Sequence, residues 1–351
     1  MVKTYFPWSF VKDSWYKQYH PYGEEIIQRI RPVLEATQLF EPELPENAFY
    51  TGQNSNGVVS VYITAEALEK VRQELENVTR EILLPFPDPI SEQPEPVDLE
   101  VQELTSTVAL LRLSKRVKKI NKRNERMKQA EEELKMSKEL IEKKKNVFCS
   151  IDIEAWERDQ SLLLEIGWSM YDSKTDLYMD QHYLINTYKH LKNGNFVEDN
   201  KLRFQFGTSV WSTLPQALNE LKKDLDWAVE RDGEVILVGH GFESDLKYLS
   251  KHKFRWPGTR PGENDSEDVH KSAVTWILNT DTLYAASIHD LHNPPSLGKT
   301  LKLFDIDTWC LHNAGNDAHY TLQLFLALVS KENEERLRKL KEEKEQGTPT
   351  G

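Results

Sequence analysis

Cysteine is nearly absent from this 351-residue chain, which holds only Cys149 and Cys310, both in apolar surroundings. That excludes a disulfide framework and a zinc cluster of paired cysteine motifs, and it fits a reducing compartment. An excess of positive charge is also lacking: 45 Lys and Arg stand against 57 Asp and Glu, a formal net charge of -12. No bulk field draws such a chain to nucleic acid or to an anionic membrane, so a polyanion site has to be made locally, by basic residues or metal ions. No apolar run is long enough to span a bilayer. The opening, "MVKTYFPWSFVKDSWYKQY", is aromatic with acidic interruptions, unlike a secretory signal and a poor transit peptide. The expected location is cytoplasmic or nuclear, with a mitochondrial one left open.

Several catalytic signatures are missing as well. "PPSLGKT", 294 to 300, ends like a phosphate-binding loop, but prolines fill the positions whose N–H groups would cradle phosphate, and Asn293 stands where the first glycine is required. It reads as a helix start. "VGHGFESD" lacks the third glycine of a dinucleotide fingerprint, and no Gly-x-Ser-x-Gly elbow occurs. "HDLH", 289 to 292, sits beside two prolines with no third metal ligand implied by spacing.

What is there falls into four segments. Residues 1–95 carry a helical pattern near 23 to 36, a turn at "QNSNG", an alternating run "VVSVYIT" and a helix "AEALEKVRQELENVTREIL", together a small α+β domain. The Pro-rich acidic stretch "PFPDPISEQPEPVD" is a linker, and a long charged helix of about 99 to 145 follows it, within a segment of 96–145. Residues 111 to 128 of that helix hold nine Lys and Arg against one Glu. Such a run is either a solvated connector, a grip on phosphates or a nuclear-import address. From 146 to 330, "VFCSIDIEAW", "LLEIGWSMYD" and "DQHYLI" form three strands of an antiparallel meander. A Thr-capped helix, "TLPQALNELKKDLDWAVER", then leads into a buried strand, "GEVILVGH", and another helix, "ESDLKYLSKH". After a polar insertion of about 256 to 270, a fifth strand-like run, "AVTWILNTDTLY", precedes "SLGKTLKLFDI" and the segment "LHNAGNDAHYTLQL". This order predicts an α/β fold of the ribonuclease H-like type, a mixed sheet flanked by helices. Residues 331–351 are a charged helical tail with a disordered end.

The chemistry lies in carboxylates. Asp152 and Glu154 alternate on one strand, so both leave the same face, roughly 6 to 7 Å apart at the backbone, while Ile151 and Ile153 face the other way. Two carboxylates aimed together from a buried strand repel each other and need cations, unless the strand end simply reaches solvent. Asp245 follows a buried strand and a turn, at the sheet edge where open α/β sheets collect ligands, and Gly239 and Gly241 leave room for a substrate to approach the backbone. In "LHNAGNDAHYTLQL", Asn313 or Asn316 can cap a helix whose first turn holds Asp317, with His312 five residues earlier. Hard oxygen ligands from separate elements suit Mg²⁺ or Mn²⁺ rather than zinc.

Asp152-Ile153-Glu154, "LVGHGFESDLKYL" with Asp245, and "HNAGNDAHYTLQLF" with His312 and Asp317 resemble the three motifs of the DEDDh, or DnaQ-like, 3′-to-5′ exonucleases. "NTDTLYAAS" and "SLGKTLKLFDI" resemble that family's connecting segments in the same order, and the resemblance covers about 147 to 330. "HNAGNDA" is most similar to a fungal subgroup that includes members associated with mRNA export and RNA silencing. The resemblance implies two divalent ions held by Asp152, Glu154, Asp245 and Asp317, and His312 as general base. It implies stepwise release of nucleoside 5′-monophosphates from the 3′ end of single-stranded RNA or DNA. Many relatives follow the first motif with Thr, where this chain has Ala155 and Trp156; Trp156 is either a stacking platform for the terminal base or a core aromatic. Substrate contacts are expected from Ala155, Trp156, Gly241 and Phe242. Two other functions stay open at this point. One is a non-catalytic scaffold that keeps the fold and binds nucleic acid or protein, with a protein partner met by the N-terminal domain or the charged helix; the other is a nuclease that cuts internally.

Overall fold

The structure is a computed structural model, and it describes residues 4–35, 39, 44–45, 47–80, 96–258, 265–292 and 294–347. Two compact units divide it, Met1–Arg126 and Met127–Gly351. Among the described residues no helix is long and apolar enough to cross a membrane. The Pro-rich linker from 85 to 95, the centre of the polar insertion (259–264) and the last four residues lie outside the described residues.

The first unit begins with β1 (Tyr5–Pro7), α1 (Trp8–Tyr19) and α2 (Glu24–Leu34), and continues through β2 (Phe49–Gln53), β3 (Val59–Thr64), α3 (Ala65–Thr79) and β4 (Val97–Gln102). Its antiparallel sheet has the order β1-β3-β2-β4. The aromatic opening, unremarkable as a targeting signal, is an amphipathic helix: Trp8, Val11, Trp15 and Tyr19 recur on one face and are buried in this unit's core. Residues 97–102 are a correction to the sequence reading, which ran linker directly into helix; they pair with β2 as an edge strand. The long helix α4 (Thr107–Glu142) starts only after them. Nor is its basic half a helix solvated on all sides. Leu110 and Val117 enter the first unit's core, and the Asn121 side chain brackets the Val59 backbone, donating to its carbonyl (2.8 Å) and accepting from its N–H (2.9 Å).

The second unit carries β5 (Val147–Trp156), β6 (Asp159–Asp172), β7 (Leu177–Ile185), β8 (Val210–Ser212), α5 (Leu214–Asp232), β9 (Val235–Gly239), α6 (Glu243–Lys251) and β10 (Val274–Asn279), followed by α7 (Thr280–Ser287), α8 (Leu297–Leu303), α9 (Ala314–Val329) and α10 (Glu334–Gly347). Its six-stranded mixed sheet has the order β10-β9-β5-β6-β7-β8. β5, β6 and β7 form the antiparallel meander, while β9 and β10 run parallel to β5. The short β8, parallel to β7, was not legible in its three residues. The run "AVTWILNTDTLY" is strand only to Asn279; Asp281 in the first turn favours the helix that follows, because a negative charge complements the positive end of the helix dipole. Alternation along β5 sends Val147, Cys149, Ile151 and Ile153 into a core with α5, and Phe148 into a second core with α9. Helices thus cover both faces of a ribonuclease H-like sheet.

Candidate active site

Strand β5 outruns its parallel neighbour. Its pairing with β9 stops at Ser150 and Val238, because β9 ends at Gly239 and the chain turns away. Beside Ile153 there is therefore no strand among the described residues to accept its N–H. The vacancy is filled by Asp245, from the first turn of α6, whose Oδ1 accepts that bond at 3.0 Å. One backbone donor thus ties the third carboxylate between Asp152 and Glu154.

Asp317 comes from the opposite face of the sheet, on the first turn of α9. Asn313 is the cap of this helix, accepting from Asn316 N at 3.1 Å, while its amide donates to the carbonyls of Asn200 (3.1 Å) and Lys201 (3.3 Å). Asn316 pins the same incoming segment from within the helix, accepting from Gln205 N and donating to the Arg203 and Cys310 carbonyls. The Asp317 Oδ2 accepts the N–H of His312 at 2.9 Å, which closes the five-residue spacing into a loop. His312 adopts the left-handed conformation (φ 63°) and its side chain is exposed. Possible metal-ligand atoms of Glu154, His312 and Asp317 all lie within 4.8 Å of one another.

The electrostatics are those of like charges gathered in a buried site. Burial, then the charges of Asp245, Asp317 and Glu154, holds Asp152 well above the ordinary carboxylate range. Burial likewise raises Asp317, with Glu154 adding to the effect. Glu154 is pushed up to about 8 by burial and by Glu165 and Asp245. Asp245 rises to about 7 through burial, against the opposing Ile153 N–H. Asp152 Oδ2 and Asp317 Oδ1 are buried with no hydrogen-bond partner among the described residues. A buried oxygen without a donor is costly, and four clustered carboxylates offer hard ligands in excess of their hydrogen bonds. The donor set therefore fits divalent cations, which would satisfy both orphaned oxygens and relieve the repulsion.

Two of the residues expected to contact substrate have buried side chains. Ala155 and Phe242 turn their side chains into the core of the second unit, at 8% and 1% exposure. Gly239 is required by this packing, since a Cβ there would lie 2.3 Å from the Phe242 Cβ. Gly241 is different: its φ of +68° lies in the left-handed region and its Cβ position is open. Trp156 is half-buried and outside the core. Its Nε1 donates to the Lys192 carbonyl (3.2 Å), and the Arg158 guanidinium stands 6.0 Å from its ring centroid.

Sequence reading missed Glu165 and His182. Glu165 lies opposite Glu154 in the β5–β6 register, is buried, and accepts the Ala314 N–H at 3.3 Å. His182 Nε2 is 2.9 Å from its carboxylate, and Nδ1 is 2.8 Å from Ser209 Oγ. The available signal was a lone charge inside the apolar run "LLLEIGW".

Residues 147–328, just over half of the chain, match the family model described as DEDDh, DNA polymerase III subunit epsilon-like, C-terminal domain. The chain belongs to the DEDDh family. The matched DEDDh span includes all five clustered residues and none of the first unit. Relatives include the Saccharomyces cerevisiae protein named "Good for full DBP5 activity protein 2", 32% identical over 198 residues, which cover 51% of this chain and 34% of the relative. A second S. cerevisiae protein, uncharacterized, is 31% identical over 206 residues, covering 54% of this chain and 42% of its own. An uncharacterized nucleolar protein of Schizosaccharomyces pombe is 33% identical over 186 residues, covering 52% of this chain and 69% of its own. The DEDDh chain thus spans less than half the length of the two S. cerevisiae relatives.

Proposed function

We propose that this DEDDh protein is a metal-dependent 3′-to-5′ exonuclease that hydrolyses single-stranded RNA or DNA, with the chemistry in residues 146–330. The observation that carries this reading is the convergence of Asp152, Glu154, Asp245 and Asp317 from three elements, with two orphaned oxygens among them and His312 at the exposed rim. In this reading the four carboxylates hold two Mg²⁺ or Mn²⁺ ions, which when bound stabilise the charge that builds on the phosphate during in-line attack. His312 takes the proton of the attacking water. An exposed imidazole can both accept and release a proton, which suits that task. Asp317 serves twice, as a ligand through one oxygen and as the group that fixes the His312 backbone through the other. Asp245 holds β5 in place while facing the same centre. The nucleolar name of the S. pombe relative supports a nuclear location for this chain too.

The test is shortening of a 5′-labelled oligonucleotide, RNA and DNA, free or blocked at the 3′ end, with Mg²⁺, Mn²⁺ or EDTA. Expected is a ladder that depends on metal and on a free 3′ end, abolished by Asp152→Ala. Full activity in that variant rejects the assignment. Cleavage of the blocked strand marks an internal cutter, and salt-sensitive binding without any hydrolysis marks a scaffold.

A further inference from the structure

The second unit carries an exposed aromatic for which its core has no use. Phe196 is 81% exposed, at the tip of the loop between β7 and β8, and no apolar cluster of the described residues contains it. A flexible loop would let such a ring collapse against the surface. This one is held. The Glu157 carboxylate, immediately after β5, accepts three successive backbone N–H groups, from Gly194 (3.1 Å), Asn195 (3.0 Å) and Phe196 (3.0 Å). These donors, the Phe196 N–H foremost, lower its pKa to about 2. Asn193 adds a reciprocal pair, accepting from Glu157 N (3.0 Å) and donating to Ala155 O (3.1 Å). The Trp156 indole bonds the Lys192 carbonyl. The loop is thus stitched to the end of the strand that carries Asp152 and Glu154, and Glu157 is only three residues, at most about 10 Å of strand, beyond Glu154.

The charges around this tip differ from those of the chain as a whole. Lys189, His190 and Lys192 precede the tip and are exposed, as is Arg158 beside Trp156. Lys189, Lys192 and Arg158 make no ion pair among the described residues. The acidic residues that follow are already engaged: Glu198 accepts from Asn200 Nδ2 (3.3 Å), and Asp199 pairs with Lys201 (3.9 Å). An immobilised ring among free cations, next to a polyanion-processing centre, has the make-up of a single-strand stacking platform, in which aromatic faces take bases and basic side chains follow the backbone.

We infer that Phe196 is a base-stacking residue for single-stranded nucleic acid, held ready by Glu157, which binds nucleotides upstream of the one being removed. This rests on the exonuclease reading for its substrate, but its test does not depend on cleavage. Binding of a short fluorescent single-stranded oligonucleotide is measured by anisotropy in EDTA, for the full chain and for Phe196→Ala, Phe196→Leu and Phe196→Trp. Stacking predicts affinity roughly tenfold weaker in the Ala and Leu variants and restored by Trp. Hydrolysis of the p-nitrophenyl ester of thymidine 5′-monophosphate, which has no upstream nucleotide, is unchanged in all three. Glu157→Gln, which loosens the clamp, weakens oligonucleotide binding in the same direction. Unchanged oligonucleotide affinity in Phe196→Ala overturns the inference and leaves the exonuclease reading standing. Phe196-dependent binding without hydrolysis of any substrate does the reverse, and a wild-type chain that binds no single strand in EDTA overturns the inference while the metal-dependent ladder still decides the exonuclease reading.

Discussion

Glu165 and His182 form a buried pair beneath the carboxylate cluster, and burial moves them in opposite directions. The glutamate rises from 4.5 to about 8, against the opposing Ala314 N–H, and the histidine falls from 6.5 to about 4. Both are neutral near pH 7. Because the folded pKa of Glu165 lies above the unfolded one, the native state keeps a proton that the unfolded chain releases. Its contribution is intact below about pH 4.5 and is lost as pH rises toward 8. His182 has the opposite sense, losing stability as pH falls from 6.5 toward 4. Glu165→Gln keeps an acceptor for Ala314 N and a hydrogen-bonding group for His182, but it removes the titration. The expected result is a flatter decline of melting temperature between pH 5 and 8, measured in EDTA. A slope identical to wild type would show that Glu165 is not the group responsible. The lone charge in an apolar strand was visible in the sequence, but its partner was not, because His182 reaches it only through the register of β6 with β7.

At the scale of elements, the entry of α9 decides the site. Its first turn lies directly on β6 at Gly167, where a Cβ would meet the Ala314 carbonyl carbon and the Gly315 nitrogen at 2.3 Å. Backbone cannot yield as a side-chain tip does. Gly167→Ala should therefore displace the helix start, cost about 1–3 kcal/mol in denaturant unfolding, and weaken any stabilisation by metal because Asp317 moves too. A variant with wild-type stability and metal response would contradict that close approach. Asn313→Ala should cost about 1–2 kcal/mol through loss of the cap alone. Helix α9, its cap and the strands β5 to β7 were legible because their signals are local: a side-chain acceptor before an apolar run, and period-two alternation. Strand β4 and the packed face of α4 were not. Val97 and Val101 of β4 stay exposed after a Pro-rich stretch, Leu110 and Val117 of α4 lie next to or within a run of Lys and Arg, and only pairing with β2 and with Val59 makes these segments structural.

For the whole molecule, the proposed metal site would trade stability for affinity. Four carboxylates raised by burial, with repulsion adding at Asp152, Glu154 and Asp317, weaken the fold and would be relieved by bound cations. Mg²⁺ or Mn²⁺ should raise the melting temperature, and the rise should grow as pH passes from about 6 to 8, since ligands must lose their protons to bind. The direction follows from Asp245 and Glu154, raised to about 7 and about 8. Asp317→Asn should melt higher than wild type in EDTA yet lose the metal response; equal response in both proteins, followed by scanning calorimetry, would place the ions elsewhere. By itself the sequence determined which groups exist and on which element each sits, since alternation, capping and motif order are written in neighbouring residues. It also determined the ribonuclease H-like order of strands and helices. Only the tertiary structure decided that Asp245 replaces a missing strand partner, that Ala155 and Phe242 face the core, that Glu165 lies buried under the cluster and that Glu157 holds the Phe196 loop. Each of these depends on segments far apart in the chain meeting in one register, and the energy of such meetings comes from burial and long-range hydrogen bonds, which no local pattern of residues records.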